Sequence, residues 1–135
     1  MDLAWEDDCF VCGTKNPEGL QLRFTVDEVG RAIETVWTPR GVHHGYTGVV
    51  HGGLVATVLD EAVGKLSVCL GMPAVTAELT VRFLRPVPPN RPLRVQGRIT
   101  EVRPRVLEGA AEAFLEDGTL AARAQARLVR GKGAP

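Results

Sequence analysis

The segment "VVHGGLVATVLDEAVG", residues 49–64, holds a histidine, two adjacent glycines and two adjacent acids. Gly52 and Gly53 stand where a helix would begin. A helix N-terminus presents unpaired N–H groups at the positive end of the macrodipole. Without side chains, the glycines let a ligand oxygen approach those groups closely. Such a turn could stabilise the oxyanion of an acyl transfer; it could equally be only a tight lead into the helix. On a 3.6-residue wheel Gly53, Thr57, Asp60, Gly64 and Ser67 share one narrow stripe of small and polar residues. Asp60 has no partner on that stripe, so it is near water, paired from another element, or held for chemistry. Glu61 lies about 100° further round. It precedes Lys65 by four residues, the favourable order for a surface ion pair, which is the expectation for it. Gly52 and Asp60 are eight residues apart, or about 12 Å along a helix axis, beyond the reach of an aspartate side chain. If both serve one reaction, they belong to two copies of the helix, brought together antiparallel as a symmetric dimer would bring them.

A second constellation is Cys9 and Cys12, a C-x-x-C pair. With Cys69 the cysteines number three, which argues against a disulfide framework. Two thiolates do not complete a tetrahedral zinc site. His43 and His44 could supply ligands in space, but adjacent histidines are poorly spaced for it. The expectation is that Cys9 and Cys12 pack or hydrogen-bond in the N-terminal turn and that no metal is bound, with metal or redox use as the competing reading.

Composition narrows the function classes. The chain of 135 residues suits one domain with its own core. Sixteen basic and 16 acidic side chains give zero formal charge, without the basic excess of a nucleic-acid binder. No apolar run approaches the roughly 18 residues of a membrane span. The opening "MDLAWEDDCF" is acidic and lacks a signal-type apolar stretch. These features together predict a cytoplasmic protein without nucleic-acid or membrane partners.

The elements that must position these residues follow from periodicity. Residues 1–19 read as a lead-in loop, with turn signals at Gly13, Asn16-Pro17 and Gly19. "LQLRFTVDE" from Leu20 alternates as a half-buried strand, Gly30 breaks it, and "AIETVWT" resumes the alternation through Ile33 and Val36, forming a hairpin. A helix spans about His51 or Gly52 to Leu70, ending near Gly71 and Pro73. "AVTAELTVRFLRPV" places Val75, Ala77, Leu79, Val81 and Phe83 on one face, and "PLRVQGRITEV" places Leu93, Val95, Gly97 and Ile99. "RVLEGAAEAFLE" and "LAARAQARLVR" are alanine-rich, but the Asp117-Gly118 turn and the alternation of Ala122, Ala124, Ala126 and Leu128 with Arg123, Gln125 and Arg127 make them a strand hairpin. Residues 131–135 are expected to be a frayed tail. Two strands, one helix and four strands give an α+β domain with an antiparallel sheet. The helix, apolar on most sides, must be buried, and a second copy of the chain is the natural cover for what one sheet leaves open.

The "NPEGL" lead-in, "GVVHGGLVATVLDEA" with Asp60 nine residues after His51, and "LRP" downstream resemble the hotdog-fold acyl-CoA thioesterases of the phenylacetate-degradation (PaaI-like) group. The resemblance covers most of the chain. It implies a curved antiparallel sheet around a long central helix, a homodimer or dimer of dimers, no cofactor, and acyl-CoA as substrate. By the same resemblance Asp60 is the general base or nucleophile and the Gly52 N–H polarises the thioester carbonyl. His51 shapes the helix start and carbonyl pocket, and Thr76 helps hold the attacking water. Gly53, His44, Tyr46 and Arg85 become substrate-binding candidates, Arg85 for the CoA phosphates. Many relatives carry Asn or Gln six residues before the histidine, where this chain has Gly45. That departure keeps a second reading open, a hotdog module that binds an acyl thioester without cleaving it.

Overall fold

The computed structural model describes residues 1–132. Its strands are β1 (Thr25–Asp27), β2 (Ala32–Trp37), β3 (Ala74–Phe83), β4 (Leu93–Val102), β5 (Val106–Phe114) and β6 (Leu120–Arg130). One long helix, α1 (Gly52–Cys69), lies between β2 and β3 in sequence. The strands form a single antiparallel sheet in the order β1-β2-β4-β5-β6-β3. The sheet curves around α1, the α+β hotdog arrangement that the resemblance implies.

Alternation explains the core. Leu93, Val95 and Ile99 of β4 and Ala122, Ala124, Ala126 and Leu128 of β6 face inward and are buried. From α1, Val55, Val58, Leu59, Ala62, Val63 and Leu66 meet them. The helix lies so close to the sheet that two strand positions favour glycine. A Cβ on Gly109 would come 2.5 Å from Val63 Cγ1, and one on Gly97 3.0 Å from the Ala62 Cβ. The alanine-rich β5 and β6 are strands despite their helical propensity, because small side chains admit the helix and the 117–118 turn fixes their register. Gly118 takes φ +88°, and the Thr119 N–H donates to Asp117 Oδ1 at 2.9 Å. At its far end α1 stops as Gly71 adopts φ +77° and the Met72 N–H donates to the Ser67 carbonyl at 2.8 Å, a left-handed cap that satisfies the last carbonyls.

Several expectations are corrected. The first strand is paired only from Thr25. Leu20, Leu22 and Phe24 still lean on the core, but the Leu20 and Leu22 N–H groups donate to Phe10 and Val11 of the lead-in, so that part of the alternation belongs to a chain-to-loop contact. In β2 the inward residues are Ile33, Thr35 and Trp37. Val36, of opposite parity, is exposed. In β3 a register shift between Thr76 and Glu78 inserts Ala77 as an extra residue, which flips the parity of the strand. Leu79 and Val81 pack on the core while Val75 is exposed, and Thr76, not Val75, shares their face. The presumed frayed tail is held at its start: Gly131 N–H donates to the Pro73 carbonyl and Lys132 N–H to that of Met1. Residues 133–135 lie outside the described residues.

Candidate active site

Thr76 and Asp60 are brought together by β3 and α1. The edge strand β3 runs beside the open stripe of the helix, and the extra residue at Ala77 turns Thr76 toward it. Its hydroxyl donates to Asp60 Oδ1 at 2.6 Å. Asp60 is thus partnered from another element and remains partly exposed, on the wall of a cleft of about 260 Å³ that also includes Trp5, Gly64, Lys65 and Thr76. A partly exposed carboxylate on a cleft wall, with one oxygen held by a hydroxyl, can accept a proton from water or attack an electrophile.

The helix start is built by His51. Its Nδ1 accepts the Gly53 N–H at 2.9 Å, a histidine serving as N-cap, and its carbonyl accepts from Leu54 and Val55. Gly53 is therefore engaged by the cap. Among the described residues the Gly52 N–H has no acceptor, which leaves it as the free donor of the first turn. A Cβ on Gly52 would lie 3.4 Å from the Phe83 ring, which flanks it. Gly52, Phe83 and Arg85 line a second cleft, of about 290 Å³. Asp60 is not on its wall, and Gly52 is not on the wall of the Asp60 cleft. Within one chain the amide and the acid are separate, as their spacing along the helix requires.

The loop before the helix carries the other candidates. His44 is exposed and its backbone bridges to Val50; Tyr46 is 88% exposed. Gly45 faces His51, and a Cβ there would sit 3.4 Å from His51 Cδ2, an ordinary contact. His43 is structural. Its Nδ1 accepts the Arg40 N–H at 2.8 Å, its ring meets Trp37 edge-on at 5.5 Å, and burial, helped by the Arg40 charge, holds its pKa below the usual value of 6.5.

Glu61 departs from expectation. It makes no ion pair with Lys65, whose Nζ instead sits 4.8 Å from the Trp5 ring centroid. Glu61 points under the lead-in loop, where Cys9 Sγ donates to its Oε2 at 3.4 Å. Burial pushes its carboxyl above the ordinary value, against the smaller lowering by the two thiols and Lys65. The Cys12 thiol is likewise pushed up, first by burial and then by Glu61. The histidines do not join the cysteines; the acid of α1 does. Sequence carried no signal for this, because i to i+4 spacing with a lysine is the same whether or not a loop folds over the acid.

The pattern of the thioesterase superfamily matches residues 47–122. Two curated relatives are the acyl-coenzyme A thioesterase THEM4 of Bos taurus, 46% identical over 44 residues (33% of this chain, 17% of the relative), and that of Mus musculus, 32% identical over 68 residues (50% and 29%). The matched stretches thus span less than a third of those proteins. A solved thioesterase superfamily protein superposes with a TM-score of 0.84 at 26% identity, covering 91% of this chain and 63% of its own. The PaaI protein of the phenylacetic acid degradation operon of E. coli gives 0.78 at 18% identity, covering 85% and 83%. A protein of Streptococcus mutans UA159, solved bound to acetyl CoA, gives 0.78 at 18%, covering 84% and 91%. The last two likenesses speak to the fold. The family match runs over more than half of the chain and includes the glycine turn and Asp60, so this chain belongs to the thioesterase superfamily.

Proposed function

We propose that the chain hydrolyses an acyl-CoA thioester to the free acid and CoA, at a site shared between two copies. The observation that carries this is the Thr76–Asp60 pair in one cleft and the free Gly52 N–H in another. A second copy, with its helix antiparallel to the first, brings each acid to the other copy's amide. The thioester carbonyl then sits against the Gly52 N–H. Water attacks it as Asp60 takes the proton, or Asp60 attacks directly and water releases the acyl group. The amide stabilises the oxyanion in either case, and thiolate leaves without a strong acid.

The roles of the neighbouring groups follow from their contacts. Thr76 orients the carboxylate through the bond it donates, and its hydroxyl oxygen can still accept from the attacking water. His51 fixes the turn that frees Gly52. Arg85, on the Gly52 cleft, is the cation for a CoA phosphate, and the exposed His44 and Tyr46 of the preceding loop are further contacts for the substrate. The reaction calls on no metal or organic cofactor. The acyl-CoA thioesterase and acetyl CoA named for the relatives favour this substrate class. The alternative, binding without cleavage, is favoured by Gly45 alone. Thiol release from a panel of acyl-CoAs, read with a disulfide reagent, tests the proposal. Turnover that Asp60→Asn reduces by orders of magnitude is expected; tight acyl-CoA binding with no release by the native chain would select the alternative.

A further inference from the structure

We propose that Cys9, Cys12 and Glu61 form a binding site for one zinc-class divalent cation that fastens the N-terminal loop to α1. The three ligand atoms, one from each residue, lie within 4.8 Å of one another. Tetrahedral zinc with Zn–S near 2.3 Å holds its sulfurs about 3.8 Å apart, and sulfur and carboxylate oxygen about 3.5 Å apart. The Cys9 Sγ–Glu61 Oε2 distance is already 3.4 Å.

The loop has the shape such a site needs. The Val11 N–H donates to Cys9 Sγ at 3.4 Å, which fixes the direction of the sulfur. The Gly13 N–H donates to the Cys9 carbonyl at 2.9 Å, closing the turn that presents both sulfurs to the same side. Only glycine fits at 13, since a Cβ there would lie 2.4 Å from the Cys9 nitrogen. Both cysteines therefore face the one acid that α1 directs beneath the loop.

Charge also points to a cation. Three groups that become anionic as ligands meet in a partly buried place, and Lys65, four residues after Glu61, holds its Nζ over the Trp5 ring instead. Metal binding releases the two thiol protons to solvent. Two thiolates, one carboxylate and the divalent ion then sum to a single negative charge. Glu61 lines the cleft, so water reaches the fourth position from that side. Thiolate ligands select zinc over magnesium or calcium. Its ligands include neither Asp60 nor Gly52, so the site can be tested without reference to the proposed hydrolysis.

Cobalt(II) titration of the reduced, chelator-treated chain tests it. The expected result is thiolate-to-cobalt charge-transfer absorption saturating at one equivalent per chain and displaced by zinc. Cys9→Ser and Cys12→Ser should abolish the band. Glu61→Gln should keep it while weakening affinity at least about tenfold, and Cys69→Ser should leave both unchanged. The native chain alone keeps the test decisive if a serine variant misfolds: zinc should also raise its melting temperature. No charge-transfer band in the native chain at saturating cobalt, or a band lost only in Cys69→Ser, overturns the proposal.

Discussion

Two substitutions can divide the proposed site between subunits. Gly52→Pro removes the one N–H assigned to the oxyanion. The fold should tolerate it: Pro is favoured at the first helical position, the Gly52 N–H has no acceptor to lose, and His51 already has φ −57° and ψ 127°, the extended conformation a residue before proline adopts. The added Cβ would lie 3.4 Å from Phe83, an ordinary contact. Loss of an oxyanion donor should cut kcat by about 10²–10³. Asp60→Asn should cut it by a comparable or larger factor while leaving the assembly folded. In a dimer of one chain of each kind, one site pairs the intact Gly52 of the Asp60→Asn chain with the intact Asp60 of the Gly52→Pro chain. The other site carries both defects. Random assembly from a 1:1 mixture makes half the dimers mixed, each with one working site, so about one quarter of native activity should return. The assay is thiol release from the best acyl-CoA after co-refolding, against each variant refolded alone. A site contained in one chain predicts no recovery whatever the ratio. Mixed dimers, verified by differential tags, that stay at the level of the separate variants would refute the shared site.

Thr76→Val keeps the shape and strand propensity of β3 but deletes the donor to Asp60. Hydrogen bonds to charged groups contribute about 1.5–3 kcal/mol, and the partly exposed position argues for the low end, so kcat should fall roughly tenfold. Thr76→Ser should recover most of it; a serine variant as slow as valine would show that packing matters, not the hydroxyl. Gly109→Ala should destabilise the fold by about 1–3 kcal/mol in denaturant unfolding, because the new methyl meets Val63 and the Arg98 carbonyl. Gly64→Ala has no atom within 4 Å in the single chain and should gain up to about 1 kcal/mol in helix propensity, unless a second copy covers the stripe; a concentration-dependent loss would locate that cover. His43 is held neutral in the fold, so its contribution to stability is present above its ordinary pKa of 6.5 and is lost as pH falls from there toward the lowered folded value. His43→Asn, which keeps an acceptor for the Arg40 N–H, should flatten that acid-side decline in melting temperature, and an unchanged slope would remove His43 as its source.

What the sequence made legible was periodic or local. The helix ends, the 117–118 turn and the inward faces of β4 and β6 depend on neighbours a few residues away, and they stand where the pattern places them. The eight-residue gap between Gly52 and Asp60 is helical geometry, so the separation of amide and acid into two clefts was legible too. The failures share a cause. One extra residue at Ala77 reverses the faces of half a strand without any change in composition, and it gives Asp60 its Thr76 partner. The site geometry therefore depends on a backbone irregularity that alternation cannot encode. Glu61 failed for a related reason. Its environment is set by a loop some fifty residues earlier, whose tight turn at Gly13 aims two thiols at α1. Adjacent acids on one helix thus meet different elements: Asp60 faces the edge strand β3, and Glu61 faces the chain's own N-terminal loop. On the roles proposed above, a substitution at Glu61 should disturb attachment of the loop more than turnover, and one at Asp60 the reverse, because neighbours on a helix point about 100° apart even though both acids line one cleft.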